Sequence, residues 1–198
     1  MNIFYLSIHP HTAAQQLHDK HVVKMILESA QMLSTYYHYM KQDIPLYLQK
    51  QLCKPTHQNH PCNKWLRSSE WNVLWLLEHA KELLALYTVI YRKIHKMDHL
   101  IHILDREINM NRFNVINIIK EHDAPPQCMP VEYQIIHNES YTPHAATITA
   151  YRNYYLHEKL QTWYPSKNKW IANKWTGAFG EDRTPQFVKD FLTTTRLG

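Results

Sequence analysis

Only three glycines occur among 198 residues, against six tryptophans and thirteen tyrosines, and that imbalance narrows the accessible folds more than any other feature. The two-residue turns of antiparallel hairpins draw on glycine for their positive-φ positions. A chain this poor in glycine has little material for an all-β fold and much for aromatic packing or stacking. Apolar residues also recur at helical spacing over long stretches. The expectation is an all-α fold: one compact helical bundle with long first and central helices and an aromatic, basic C-terminal tail. With 44% hydrophobic residues, the chain is long enough for one well-buried core.

Residues 12–40 read as the first long helix. Thr12 with Gln15 three positions on has the form of a capping box, and no breaker intervenes before Met40. On a wheel of about 100° per residue, Val22, Val23, Ile26, Leu27, Ala30 and Leu33 make an apolar face opposite a polar stripe of His21, Lys24, Glu28 and Gln31. A second long helix is expected over 63–96, carried by Trp65, Leu66, Val73, Leu76, Leu77, Ala80, Leu83, Leu84 and Tyr87, and packed on the first. Shorter helices follow over 100–107 and 115–121, stopped by Ala124-Pro125-Pro126. Thr142 before Pro143 supplies a capping side chain and a proline at the first helical position, which starts a helix running to residue 160.

The stripe on the first helix is acid-base equipment: a base, an ammonium and a carboxylate. It either lines a cleft or is a solvated face with an ordinary Lys-Glu pair at i, i+4. On the first reading Glu28 is the general acid/base or stabilises a cationic sugar intermediate, with His21 and Lys24 shaping its protonation and contacting phosphate, and Lys20 is a further DNA-binding candidate. A second polar segment, Lys54-Pro55-Thr56-His57-Gln58-Asn59-His60-Pro61, is restricted by its prolines and can hydrogen-bond a base edge or a phosphate at little ordering cost. Lys54, His57, Asn59 and His60 are its substrate-binding candidates, placed across a cleft from Glu28; a plain polar surface loop is the alternative. With Cys53 and Cys62 the loop also reads Cys-x3-His-x2-His-x-Cys. That spacing is tighter than paired zinc-finger patterns, so no metal and no cofactor is expected.

A net charge of +5 that leaves fifteen histidines uncounted makes a polyanion the natural partner, and DNA is the partner expected. After Trp163 the chain alternates aromatic faces with ammonium groups through Tyr164, Lys167, Lys169, Trp170, Lys174 and Trp175. That combination holds unstacked bases against a phosphate backbone, although tryptophans at such spacing also serve as core. The opening Met1-Asn2-Ile3-Phe4-Tyr5-Leu6 has neither the basic region nor the apolar run of a secretion signal, and no segment reaches the roughly 18 apolar residues of a membrane span. Three cysteines without a repeating frame fit a reducing compartment. A soluble intracellular protein with no membrane partner is expected.

Two separated stretches resemble one family. Asp19-x-His21 followed by Glu28 is similar to the first helix of the phage endonuclease V family, pyrimidine-dimer DNA glycosylases with an associated AP-lyase activity. Tyr141-x-Pro143-His144-x-Ala146, then Glu158-Lys159 and Trp163-Tyr164, is similar to that family's last helix and aromatic tail. The resemblance covers residues 1–40 and 139–165 and implies a compact all-helical domain of phage type over 1–198, with 164–198 as an extension. It implies attack on the sugar C1′ by an N-terminal α-amine, with the helix glutamate carried over onto Glu28 and the helix histidine onto His21. An α-amine, with a reference pKa of about 7.7–8.0, keeps a neutral fraction at pH 7 that lysine lacks. Where the family exposes a threonine after Met, this chain has Asn2, so the nucleophile is the amine of Met1, that of Asn2, or Lys24. Leu27 stands where the family places an arginine. His144, Arg152, Lys167 and Lys169 are further DNA-binding candidates, and a nucleotide flipped from the stack is the expected substrate. The alternatives are a thymine hypermodification transferase on the same fold, joining an amine to an activated hydroxymethyl base, and a non-catalytic DNA-binding or host-interfering protein.

Overall fold

The computed structural model describes residues 1–40, 44–108, 115–160 and 175–196. Nine α-helices occur among them: α1 (Pro10–Gln15), α2 (Asp19–Met40), α3 (Leu46–Gln49), α4 (Pro61–Ser68), α5 (Glu70–Tyr91), α6 (Asp98–Ile108), α7 (Val115–Glu121), α8 (Pro143–Tyr154) and α9 (Gln186–Arg196). The described residues contain no β-strand, only isolated bridges between Asn138 and Tyr141 and between Thr176 and Asp182. The fold is all-α, as the glycine-poor, helix-periodic sequence requires.

Two 22-residue helices, α2 and α5, pack on one another at the centre. Helix α5 is apolar nearly all round, burying Val73, Leu74, Trp75, Leu76, Leu77, Ala80, Leu83 and Leu84, and a helix of that kind belongs inside a core. Trp75 is fully buried and satisfies its indole by donating to the Ile8 carbonyl at 2.8 Å. The opening run Ile3, Phe4, Tyr5 and Leu6 is also core, with no residue above 4% exposed. Four apolar side chains in succession need cover on all sides, and α2, α5 and α8 supply it. Tyr5 meets Trp75, its hydroxyl lies 2.7 Å from His122 Nε2 and 2.8 Å from His144 Nδ1, and Arg152 Nε donates to the Leu6 carbonyl at 3.1 Å.

Helix boundaries depart from the sequence expectation in two places. The helix expected over 12–40 is broken at 16–18, so Thr12 and Gln15 lie inside the short α1 and form no capping box. His18 caps α2 instead: its Nδ1 accepts from the Lys20 amide at 3.1 Å while its own amide donates to the Tyr155 hydroxyl at 2.8 Å. The helix expected over 63–96 is likewise two. Ser69 leaves the helical region and caps α5 by accepting from the Trp71 amide, and α5 ends at Arg92 in the left-handed conformation (φ 51°). Helices α6 and α7 lie where expected, and Thr142 caps α8, its Oγ1 accepting from the Ala145 amide. Beyond Tyr154, α8 continues as a π-helical turn over Tyr155–Lys159.

The wheel assigned to α2 also needs correction. Val23 is exposed and Leu27 half-exposed, whereas Met25, Ser29 and Met32 are buried. With α5 on one side and the N-terminal run on another, α2 is enclosed over most of its circumference, and His21 and Glu28 fall within the enclosed part. No helix among the described residues is long and apolar enough to cross a membrane.

Candidate active site

The N-terminal run reaches α2 through a turn built by Asn2. Its Oδ1 accepts from the amides of Ile3 (2.7 Å) and Phe4 (3.2 Å), and its Nδ2 donates to the Cys128 carbonyl at 2.8 Å. The turn holds Phe4 at a positive φ of 53°, a conformation that costs a non-glycine residue about 1–3 kcal/mol and persists only where its surroundings over-determine it. Here they do. The Phe4 ring lies 4.2 Å from the His21 ring and stacks parallel to Tyr154.

This turn sets two backbone nitrogens against one carboxylate. The Asn2 amide donates to Glu28 Oε2 at 2.7 Å, and the α-amine of Met1 lies 3.8 Å from the same oxygen. Lys24 Nζ stands 3.5 Å from Oε1. Glu28 is only 9% exposed; a carboxylate so enclosed needs such donors around it. The group faces a cleft of about 430 Å³ lined by Met1, Asn2, Phe4, Lys20, His21, Lys24, Glu28, Cys128, Tyr154 and Lys159, a volume in the range of small-molecule sites. Lys159 packs its ammonium 4.5 Å from the centre of the Tyr154 ring and 3.2 Å from Glu158. The cleft thus carries three lysines and an α-amine around one carboxylate, a surplus of positive charge suited to an anionic substrate.

His21 enters the cleft as a neutral ring. Burial, reinforced by His18, Lys24 and Lys159, holds its pKa well below the usual histidine value, so it brings an uncharged ring to the cleft wall. Glu28 in contact with an amine can accept the proton an attacking nitrogen sheds, or stabilise a cationic intermediate beside it.

Of the expected site residues, the structure gathers Glu28, His21, Lys24, Lys20, Met1 and Asn2 at this cleft. The loop over 54–61 does not form its opposite wall; Met1, Phe4, Cys128 and Tyr154 do. Lys54, His57 and Asn59 are exposed, and His57 Nδ1 is engaged by its neighbour Thr56 Oγ1 at 2.6 Å. His60 is half-buried at the start of α4, where its Nδ1 accepts from the Cys62 amide. The loop reaches the cleft indirectly: its Thr56 and His57 carbonyls accept from Asn63 Nδ2, which also lies 3.3 Å from Met1 Sδ. His144 belongs to the buried contact with Tyr5, and Arg152 braces the N-terminal run and lies 5.0 Å over Phe187; neither lines the cleft. Lys167 and Lys169, with Trp163, Tyr164 and Trp170, lie outside the described residues. Trp175 is core: 7% exposed, it donates to the Gln16 carbonyl and meets His18 edge-on.

Four cleft residues, Phe4, Cys128, Tyr154 and Lys159, had no site role in the sequence reading. Tyr154 and Lys159 lie five residues apart, which at about 3.6 residues per turn sets them about 140° apart on an α-helix; the π-helical turn over Tyr155–Lys159 brings them together, and neither this pairing nor Cys128 has a local signal. The loop residues Cys53, His57, His60 and Cys62, whose spacing argued against a metal, do not come together as four. Among the described residues the group within ligand distance of one another is His60, Cys62 and Cys128. The hydrogen bond between the two sulfurs, 3.5 Å long, raises the Cys62 thiol and lowers that of Cys128. Compared with known proteins, the chain matches no model of a protein family, no curated protein and no solved structure.

Proposed function

We propose that the chain is a DNA-binding enzyme that acts on a damaged or modified pyrimidine, as a glycosylase with an associated lyase step. The observation that carries the reading is the 3.8 Å approach of the Met1 α-amine to Glu28 inside a cleft bordered by Lys20, Lys24 and Lys159. In this scheme the neutral amine attacks C1′ of a flipped nucleotide. The glycosidic electron pair leaves with the base, and Glu28 takes the proton that the nitrogen sheds as the C–N bond forms. Glu28 returns that proton to O4′ as the C1′–O4′ bond breaks and the ring opens to the imine; as a carboxylate again it takes a proton from C2′, and the freed electron pair forms C2′=C3′ as the 3′-phosphate leaves with the electrons of the C3′–O bond. The lysines hold the flanking phosphates, and the stacked pair of Phe4 and Tyr154 offers a face to the extruded base. Were Met1 removed, the Asn2 nitrogen, 2.7 Å from Glu28, would occupy the same role. The resemblance to the endonuclease V family, carried by Asp19, His21 and Glu28 and by the stretches Tyr141–Ala146, Glu158-Lys159 and Trp163-Tyr164, shares His21, Glu28 and Lys159 with this cleft.

Borohydride reduction in the presence of DNA carrying abasic sites tests the scheme. The expected product is a covalent adduct that peptide mapping assigns to the N-terminal nitrogen. Glu28→Gln should slow turnover by about 10²–10⁴-fold, the usual contribution of a general acid/base. No adduct, or an adduct on Lys24, overturns the scheme. No adduct together with Glu28-dependent activity on an activated hydroxymethyl base would identify a modification transferase instead.

A further inference from the structure

Three metal-ligating side chains converge where the start of α4 meets the segment after Pro126. One ligand atom from each of His60, Cys62 and Cys128 lies within 4.8 Å of the other two. Two are neighbours in sequence and the third is distant: His60 caps α4 and Cys62 is its second residue, whereas Cys128, 66 residues on, is tied in place from both sides, its amide donating to the Tyr151 hydroxyl and its carbonyl accepting from Asn2. The sulfurs are 3.5 Å apart. A disulfide needs about 2.05 Å, whereas two thiolates each about 2.3 Å from one tetrahedral ion stand about 3.7 Å apart. The observed separation is close to the second arrangement.

We propose that His60, Cys62 and Cys128 bind a thiophilic divalent ion, zinc by its preference for tetrahedral sulfur and imidazole donors, with the fourth position open toward the cleft. Cys128 and Met1 both border the cleft, so water or a substrate oxygen can reach that position. The charges and protons balance. Zinc displaces the two thiol protons to solvent, giving a neutral Zn(thiolate)2 unit, and the imidazole coordinates through a lone pair without losing a proton. His60 Nδ1 accepts from the Cys62 amide at 3.2 Å, so coordination through Nε2 leaves the helix cap in place, whereas coordination through Nδ1 releases that amide. The site departs from the Cys-His-His-Cys set read along the loop: Cys53 and His57 drop out, and Cys128, 66 residues from Cys62, enters.

The test uses the full chain, reduced and metal-stripped, titrated with Co2+ and then Zn2+ in the absence of DNA, so that it reads the site independently of any glycosylase activity. The expected result is one cobalt per chain, with the thiolate charge-transfer band and the intense d–d absorption of a tetrahedral sulfur site, bleached by one equivalent of zinc. Cys128→Ser and His60→Asn should each weaken binding by more than the ~10–100-fold typical of losing an outer-shell partner. Asn keeps the helix cap that His60 supplies, so His60→Asn separates loss of the ligand from loss of α4. Cys53→Ser should bind like the parent. The proposal is overturned if the reduced parent chain gives no thiolate–cobalt band and retains no zinc, if Cys53→Ser loses binding as fully as Cys128→Ser, or if the two sulfurs pass to a disulfide while zinc protects neither from oxidation.

Discussion

Helix α2 and the loop over residues 54–61 carry nearly the same chemistry, imidazoles and ammonium groups beside amide or carboxylate, yet they hand it to different surroundings. On α2, His21 and Glu28 are less than a tenth exposed, and both face a cleft. In the loop, His57, Asn59 and Lys54 are exposed, and what reaches inward is two backbone carbonyls and, at the loop's end, the half-buried His60 ring. The loop is fastened to α2 by its main chain: the Thr56 amide donates to Thr35 Oγ1 at 3.2 Å, and that hydroxyl donates to the Gln31 carbonyl. A loop docked through its backbone turns its side chains outward. A helix crossed by another segment has its polar residues drawn under that segment. What distinguishes the two regions is therefore the buried N-terminal run that passes over α2 and not over the loop.

The sharpest way to break this contrast is to loosen the start of α2. Asp19 is 8% exposed and accepts from Thr176 Oγ1 at 2.7 Å, from the Thr176 amide at 3.0 Å and from Arg183 Nη2 at 2.7 Å. Arg183 also donates to the carbonyls of Gln15 and Leu17, so one guanidinium ties the carboxylate to the break between α1 and α2. Removing one partner of a buried ion pair leaves the other charge uncompensated, at about 3–5 kcal/mol. Arg183→Ala should lower stability by that amount in denaturant unfolding, and Arg183→Ala with Asp19→Asn should recover part of it. A double variant no better than Arg183→Ala alone would show that the loss comes from the exposed carbonyls rather than from Asp19.

The structure also separates what could be read locally from what could not. The start of α8 was legible because Thr142 and Pro143 decide it within one turn, and the i, i+4 spacing of Lys24 and Glu28 put both on one side of α2. The breaks at His18 and Ser69 were not legible. Each interrupts apolar periodicity that continues in sequence, and the first is set by Tyr155, 137 residues away from His18. The apolar face of α2 was misread at Val23 and Leu27 because three neighbours, rather than one, cover the helix. The far wall of the cleft could not be read at all, since Phe4, Cys128 and Tyr154 meet only through the tertiary path of the chain. Asn2 shows the same limit: it entered as a departure from the endonuclease V pattern and as a candidate amine, whereas its side chain builds the turn that brings the N-terminus to Glu28.

Acid sharpens the contrast between interior and loop histidines. His79, stacked on Trp75, is fully buried with no hydrogen-bond partner for either nitrogen among the described residues, and burial pushes its pKa down to about 3. Burial also pushes His122 to about 4. Between the ordinary histidine pKa of about 6.5 and these folded values, the unfolded chain binds more protons, so stability is full above about pH 6.5 and falls as pH drops below it. His79 alone should account for about 2 kcal/mol lost by pH 5, from the ~1.4 kcal/mol per pH unit of one unmatched proton. In urea unfolding at a series of pH values, His79→Leu should flatten the acid slope and cost little at pH 7, because it removes two unsatisfied polar atoms along with the ring. An acid slope left unchanged by His79→Leu would show that burial of this ring does not set the acid limb.

The smallest effect is expected at the loop itself, and it tests the claim that the loop acts through its backbone. His57 sits at φ 48°, which costs a non-glycine residue about 1–3 kcal/mol, with histidine among the more tolerant types. His57→Gly relieves that strain but raises the entropy of the unfolded chain, at about 0.4–1 kcal/mol, and gives up a surface contact with Thr56. These terms oppose one another, so thermal unfolding should shift by less than the equivalent of about 1 kcal/mol. The His57 carbonyl, which accepts from the His60 amide at 2.8 Å and from Asn63 Nδ2 at 2.9 Å, is retained. Asn63 therefore keeps its contact with Met1, and the yield of borohydride-trapped adduct should match that of the parent chain. Trapping that collapses in His57→Gly while the unfolding midpoint holds would mean that the imidazole itself serves the substrate, and the loop would then have to be counted as a second wall of the site.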